Sequence, residues 1–146
     1  SLGIMLCGTV LGAKRGALAV LLFITLTALG LPLLSGGRGG LGVFASPSVG
    51  FIVGFPLAAF VAGWITSRLK LINVFYSSLL GAIIGGILIL YIPGVVGMSI
   101  MLDKSISEAA LIALIYLPGD CIKAFLCAML THTLFKLRPE NVLSRI

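Results

Sequence analysis

Asp120 and Lys123 stand three residues apart in the stretch Tyr116-Leu117-Pro118-Gly119-Asp120-Cys121-Ile122-Lys123, with apolar sequence at 109–115 before it and 124–130 after it. On a helix that spacing puts a carboxylate and an ammonium on one face. A charge at the centre of a membrane helix costs about 2.5–3.5 kcal/mol on insertion scales, so two of them need a reason. Three readings follow. The pair neutralises itself and only tolerates burial. Or it clamps a ligand, Asp120 accepting from N–H groups while Lys123 donates to a carbonyl or carboxylate. Or it belongs to a proton relay, which only His132 extends. His132 itself reads as a satisfied packing residue. Arg38, alone among five glycines in 36–42, is either a solvated loop charge or a guanidinium carried over a cavity by a glycine-rich lid. Enzymatic constellations are missing: there is no G-x-x-x-x-G-K-[ST], no Ser/His/Asp set and no metal-ligating set.

The elements that must position these groups belong to a membrane. Of the 146 residues 60% are hydrophobic and 10% charged, against about 25% charged in a soluble domain, and the mean hydropathy is +1.25. Continuous rather than alternating apolar runs argue for helices and against a β-barrel. The length suits one helical bundle over residues 1–146. The net charge of +6 sets topology and does not imply nucleic acid, because the basic residues fall in short connections. Cys7, Cys121 and Cys127 form no CxxC and read as small core residues.

Residues 1–12 read as the tail of a span, 13–16 as a basic turn, and 17–31, 49–65, 74–91 and 118–134 as spans. Residues 109–116 read as a short separate helix, after which Pro118 starts a new one and leaves Asp120 at a helix N-terminus, where the dipole favours an anion. The segment 35–47 is too glycine-rich for a lipid-facing helix and reads as a loop at the membrane edge. Gly50/Gly54, Ala59/Gly63 and Gly81/Gly85 permit close helix contacts, within this chain or with another subunit. Trp64 and Tyr91 read as interfacial anchors. Alternate connections carry Lys14, Arg15, Arg68, Lys70, Lys136, Arg138 and Arg145, against Arg38 and Lys104 on the other side. The first set is expected in the cytoplasm, with the C-terminus, and the Arg38 loop outside with Asp120 and Lys123. Residue 1 is then expected on the outer side; if the native N-terminus is cytoplasmic, an odd number of helices lies upstream, most simply one.

Gly30-Leu31-Pro32, the run Gly36 to Gly42, the segment Ser46-Pro47-Ser48-Val49-Gly50-Phe51-Ile52-Val53-Gly54-Phe55-Pro56-Leu57-Ala58-Ala59-Phe60 and the stretch Tyr116 to Lys123 together resemble the BioY family, the biotin-binding S components of energy-coupling-factor (ECF) transporters. The resemblance covers nearly the whole chain. It implies a bundle of six membrane helices, of which this chain would hold the second to the sixth, in a bacterial cell membrane. It implies biotin as ligand, no cofactor, and partners in a T component and two cytoplasmic ATPases. Where the family usually has Thr-Gly-Gly-Tyr after the proline, this chain has Ser48-Val49-Gly50-Phe51, which keeps a hydroxyl at Ser48 and loses one at Phe51. Biotin's ureido ring offers two N–H donors and a carbonyl beside an apolar thiophane and a valerate carboxylate. Asp120 suits the ureido N–H groups, Lys123 suits a polar oxygen of the ligand, Phe44, Phe51 and Tyr116 suit the bicycle, and Arg38 suits the valerate or the lid. Other readings are a carrier of different specificity, a standalone vitamin facilitator, an intramembrane enzyme and a structural subunit.

Overall fold

Apolar sequence with little turn chemistry gives helices, and the computed structural model, which describes residues 1–34 and 36–146, is nearly all helix. Five helical rods are described: α1 (Leu2–Leu11), α2 (Ala13–Ala28), α3 (Val49–Arg68), α4 (Val74–Leu102) and α5 (Ile106–Leu137). The last three are long and apolar enough to cross a membrane. Large apolar side chains such as Leu18, Leu22, Leu88, Ile92, Leu111 and Ile122 point outward, which suits lipid rather than water as the surrounding solvent.

The expected turn at 13–16 is not there. Lys14 and Arg15 already belong to α2, and the chain reverses at Gly12 alone, whose φ of 91° suits a residue without a Cβ. The expected end of the fourth rod near Pro93 is also overturned. That rod continues to Leu102, widening into a π-helical turn at Ile84–Ile89 just before the proline. An α-helical stretch does begin beside Pro118, at Leu117, with Pro118 and Asp120 in its first turn, but it is not a separate rod. The last rod begins at Ile106 behind a reciprocal cap between Ser105 and Glu108, narrows to one 3-10 turn at Leu114–Tyr116 and carries on. The proline's missing N–H falls just after that narrowed turn, so the rod tolerates it.

Helix α3 is the hub, packed against α1, α2 and α4, while α5 packs on α4 and α1. Small residues make these contacts close. A Cβ on Gly85 would lie 2.6 Å from the Ala58 carbonyl oxygen and one on Gly16 2.6 Å from that of Cys7. The small-residue pairs of the sequence are therefore filled by the chain's own helices. Buried hydroxyls join α1 to α5, with Thr9 and Thr131 oxygens 2.9 Å apart and Thr9 3.3 Å from the Cys127 sulfur, as expected where polar groups have no water to meet. Of the three cysteines only Cys127 is fully in the core; Cys7 is half-buried and Cys121 exposed.

One end of the bundle is closed by the C-terminal turns. Ser144 donates to the Thr9 carbonyl. The Arg145 guanidinium donates to the carbonyls of Thr66, Leu69, Lys70 and Ile72 and to the Ser77 hydroxyl, at 2.8–3.3 Å. It thus ties off the end of α3 and the start of α4, whose last and first turns leave carbonyls and donors unmet. Burial there lowers its pKa from the ordinary arginine value. Arg145→Ala should lower stability by about 1–3 kcal/mol, seen as a lower melting temperature in detergent. Arg138→Ala, which removes only an exposed 3.8 Å pair with Glu140, should cost less than about 0.5 kcal/mol.

Candidate functional site

The opposite end carries a cavity of about 470 Å³, lined by Ser1, Arg38, Pro47, Ser48, Phe51, Phe55, Leu90, Met98, Tyr116, Asp120 and Lys123. That volume falls in the usual range of small-molecule sites, roughly 300–1,000 Å³. Of the seven residues singled out from the sequence, Asp120, Lys123, Arg38, Tyr116, Phe51 and Ser48 meet on this wall. Phe44 does not line it; it lies half-buried in a 3-10 turn, Leu41–Ala45.

Five parts of the chain supply the wall, one of them Ser1 at the head of α1. From α5 come Tyr116, Asp120 and Lys123. At 1.5 Å per residue Asp120 lies about 26 Å from the end of α5 at Leu137, close to one edge of a hydrocarbon core about 30 Å thick. From the start of α3 come Phe51 and Phe55, with Ser48 just before it; the Ser48 and Ser46 hydroxyl oxygens lie 2.8 Å apart. From α4 come Leu90 and Met98. The loop before α3 brings Arg38. Its backbone pairs with Leu34, with the Leu34 N–H 3.0 Å from the Arg38 carbonyl oxygen. Gly40, at φ 84°, donates to the Thr27 carbonyl at 2.7 Å and ties the loop to the end of α2. The segment reads as a loop in the sequence and is one here, with Ser35 outside the described residues.

Asp120 is the most heavily engaged polar group. Its Oδ1 accepts from the Ser1 hydroxyl at 2.9 Å and from Lys123 Nζ at 3.3 Å. Its Oδ2 accepts from the Tyr91 hydroxyl. The Asp120 side chain is 9% exposed and that of Lys123 45%, so the carboxylate is buried and the ammonium reaches into the open part of the cavity. The ion pair and the cavity wall are thus the same two residues. A buried carboxylate is tolerable only when paired and hydrogen-bonded, and these three donors do that work. A carboxylate has about four acceptor positions, which leaves one for a guest. Asp120 lies in the first turn of the α-helical stretch that starts at Leu117, as expected, and a 3-10 turn joins that stretch to the helix upstream.

Tyr91 is the partner that sequence reasoning missed. It reads as an interfacial anchor, yet its hydroxyl goes to Asp120 and its ring meets Phe51 edge-on, 5.7 Å between centroids and 87° between planes. Its only sequence signal is being a phenol in an apolar run. His132 is no part of the site. It lies about 18 Å further along α5 from Asp120, with its ring edge-on to Phe75 at 6.4 Å. Its Nδ1 is buried with no partner among the described residues, so the reading of a satisfied packing residue holds only for the ring.

The wall therefore offers an acceptor, a half-exposed ammonium, a guanidinium, a hydroxyl and aromatic side chains around one chamber, and it suits a compact ligand with N–H donors, an anionic end and an apolar body. Relatives agree in kind. The chain is 44% identical over 154 residues to the biotin transporter BioY of Rhodobacter capsulatus, covering 99% of this chain and 81% of that protein. It is 46% identical over 137 residues to the biotin transporter BioY of Rhizobium etli, covering 89% and 72%. Its backbone matches the crystal structure of the S-component for biotin from an ECF-type ABC transporter with a TM-score of 0.86 at 30% identity, over 92% of this chain and 72% of that one. The family model for the BioY family matches residues 1–140, and the chain belongs to that family.

Proposed function

We propose that this protein is a membrane-embedded S component that binds biotin and hands it to an ECF transporter for ATP-driven uptake. The observation that carries the reading is the single cavity wall on which Asp120, Lys123, Arg38 and Ser48 face Phe51 and Tyr116. Asp120 accepts from a ureido N–H, and Lys123 donates to a polar oxygen of the ligand. The thiophane lies against Phe51 and Tyr116, and Ser48 adds a hydroxyl at the rim. Arg38, on a loop tied to the end of α2, takes the valerate carboxylate and helps close the chamber. Phe44, in the 3-10 turn that follows that loop, lies outside the wall.

Residues 1–146 act as one transmembrane domain in a bacterial cell membrane, with the cavity facing outward. The end closed by Arg145 faces the cytoplasm, where Lys14, Arg15, Arg68, Lys70, Lys136 and Arg138 concentrate positive charge. The chain is a transport subunit rather than an enzyme, and lipid is its solvent. Energy comes from partners, a T component and two cytoplasmic ATPases. In cells that cannot make biotin, expression of this chain with that energising module should support uptake of labelled biotin, and without it uptake should fall to background. Equal uptake without the module would favour a standalone facilitator. No uptake in either case would contradict the assignment.

A further inference from the structure

Tyr91 does not line the cavity, but three residues beside it do. Its hydroxyl donates to Asp120 Oδ2, its ring stands against Phe51, and Leu90 beside it is on the wall. What aims it is the wide turn just upstream. A π-helical turn carries one more residue than an α-helical turn, so it rotates everything after it by about 100° relative to an uninterrupted helix. The turn Ile84–Ile89 ends two residues before Tyr91.

Its position has local causes. Pro93 has no N–H to give the carbonyl four residues back, at Ile89. Gly85 and Gly86 let the widened backbone press against neighbours where a side chain would not fit. A Cβ on Gly85 would lie 2.6 Å from the Ala58 oxygen, and one on Gly86 2.6 Å from the Met5 side chain. Helix α4 is therefore held against α3 and α1 through its wide turn, and the residues beyond it are turned toward α5.

We propose that Tyr91 is a positioning residue for the ligand. Aimed by the wide turn of α4 and braced by Phe51, it fixes the orientation of the Asp120 carboxylate so that the remaining acceptor position points into the cavity. This rests on the biotin reading above. Besides Tyr91, the hydrogen bonds to Asp120 among the described residues come from Ser1 and from Lys123 on its own helix. Tyr91 supplies a restraint from α4, so the geometry of Asp120 depends on how α4 and α5 are set against each other.

The test is a double-mutant cycle on the purified chain in detergent, with biotin as the probe. Tyr91→Phe keeps the ring and removes the hydroxyl. It should weaken biotin binding about tenfold, the loss of one hydrogen bond to a charged group. In an Asp120→Asn background the same change should cost less than about twofold, because coupled residues are not additive. The Asp120 carboxylate stretching band, recognised by its loss in Asp120→Asn, should shift in Tyr91→Phe, a change that loss of packing alone would not produce. Wild-type binding retained by Tyr91→Phe, equal losses in both backgrounds, or an unmoved carboxylate band would each overturn the positioning role while leaving the biotin reading intact. A wild-type chain that does not bind biotin would overturn both.

Discussion

Asp120→Asn is expected to weaken biotin binding by roughly 30- to 150-fold, the loss of about 2–3 kcal/mol when a charged acceptor becomes neutral. The carboxylate is buried, holds Lys123 at 3.3 Å and accepts from Ser1 and Tyr91. Asparagine keeps the shape and one carbonyl oxygen, so a hydroxyl donor still has a partner. It also turns a second acceptor into a donor, which faces a ureido N–H with the wrong polarity. Stability should change little, because Lys123 is nearly half exposed and can reach solvent or headgroups when its partner is neutral. The paired measurements are a biotin titration and a melting curve on the same sample. Lys123→Ala should weaken binding as well. Wild-type affinity in the Asp120→Asn/Lys123→Ala double variant would remove the clamp from the account.

Gly50→Leu should do the opposite, unfolding the bundle first and losing the ligand as a consequence. Gly50 lies where α3 crosses α4. A Cβ there would run into the Pro93 carbonyl oxygen and come within 3.0 Å of the Gly97 Cα. Gly97 meets the same backbone from the other side. Backbone cannot rotate away as a side chain does, so the helices must separate. Overpacking of this kind costs about 3 kcal/mol or more, which corresponds to a melting temperature lower by about 10 °C. The crossing also sets Phe51 and the segment around Tyr91, so biotin binding should fall with the fold. Gly119→Ala is the control, since a Cβ there meets nothing within 4 Å, and its melting temperature should stay within about 2 °C of wild type. Equal melting temperatures for Gly50→Leu and wild type would mean that this crossing is not close-packed in the membrane.

The polar half of the cavity was legible in the sequence because charges in apolar sequence are conspicuous. Asp120, Lys123 and Arg38 stand out from their neighbours, and charge parity across the connections put them on one side, where they line one cavity. The membrane character followed from composition for the same reason. What was not legible depended on phase and continuity. Segments apolar on every face carry no periodicity, so nothing in the residues around Tyr91 tells which way its ring points, and the extra residue of the wide turn leaves no mark in hydropathy. Proline misled twice. Both Pro93 and Pro118 look like boundaries, yet each follows a turn that has already changed its hydrogen bonding, π-helical in α4 and 3-10 in α5, so each rod continues. The start of α5 was available in principle, since Ser105 and Glu108 are spaced as a capping box. The role of Arg145 was hidden because a basic residue near the end of a chain reads first as a topology signal.

The most direct measurement is a calorimetric titration of the purified chain in detergent or nanodiscs with biotin, with desthiobiotin, and with a biotin analogue that lacks the ureido group. Saturable one-to-one binding of biotin, retained by desthiobiotin and lost with the analogue, is the predicted result, because the proposed site has Asp120 accept from a ureido N–H. No binding of biotin, or equal binding of the analogue that lacks the ureido group, would contradict it.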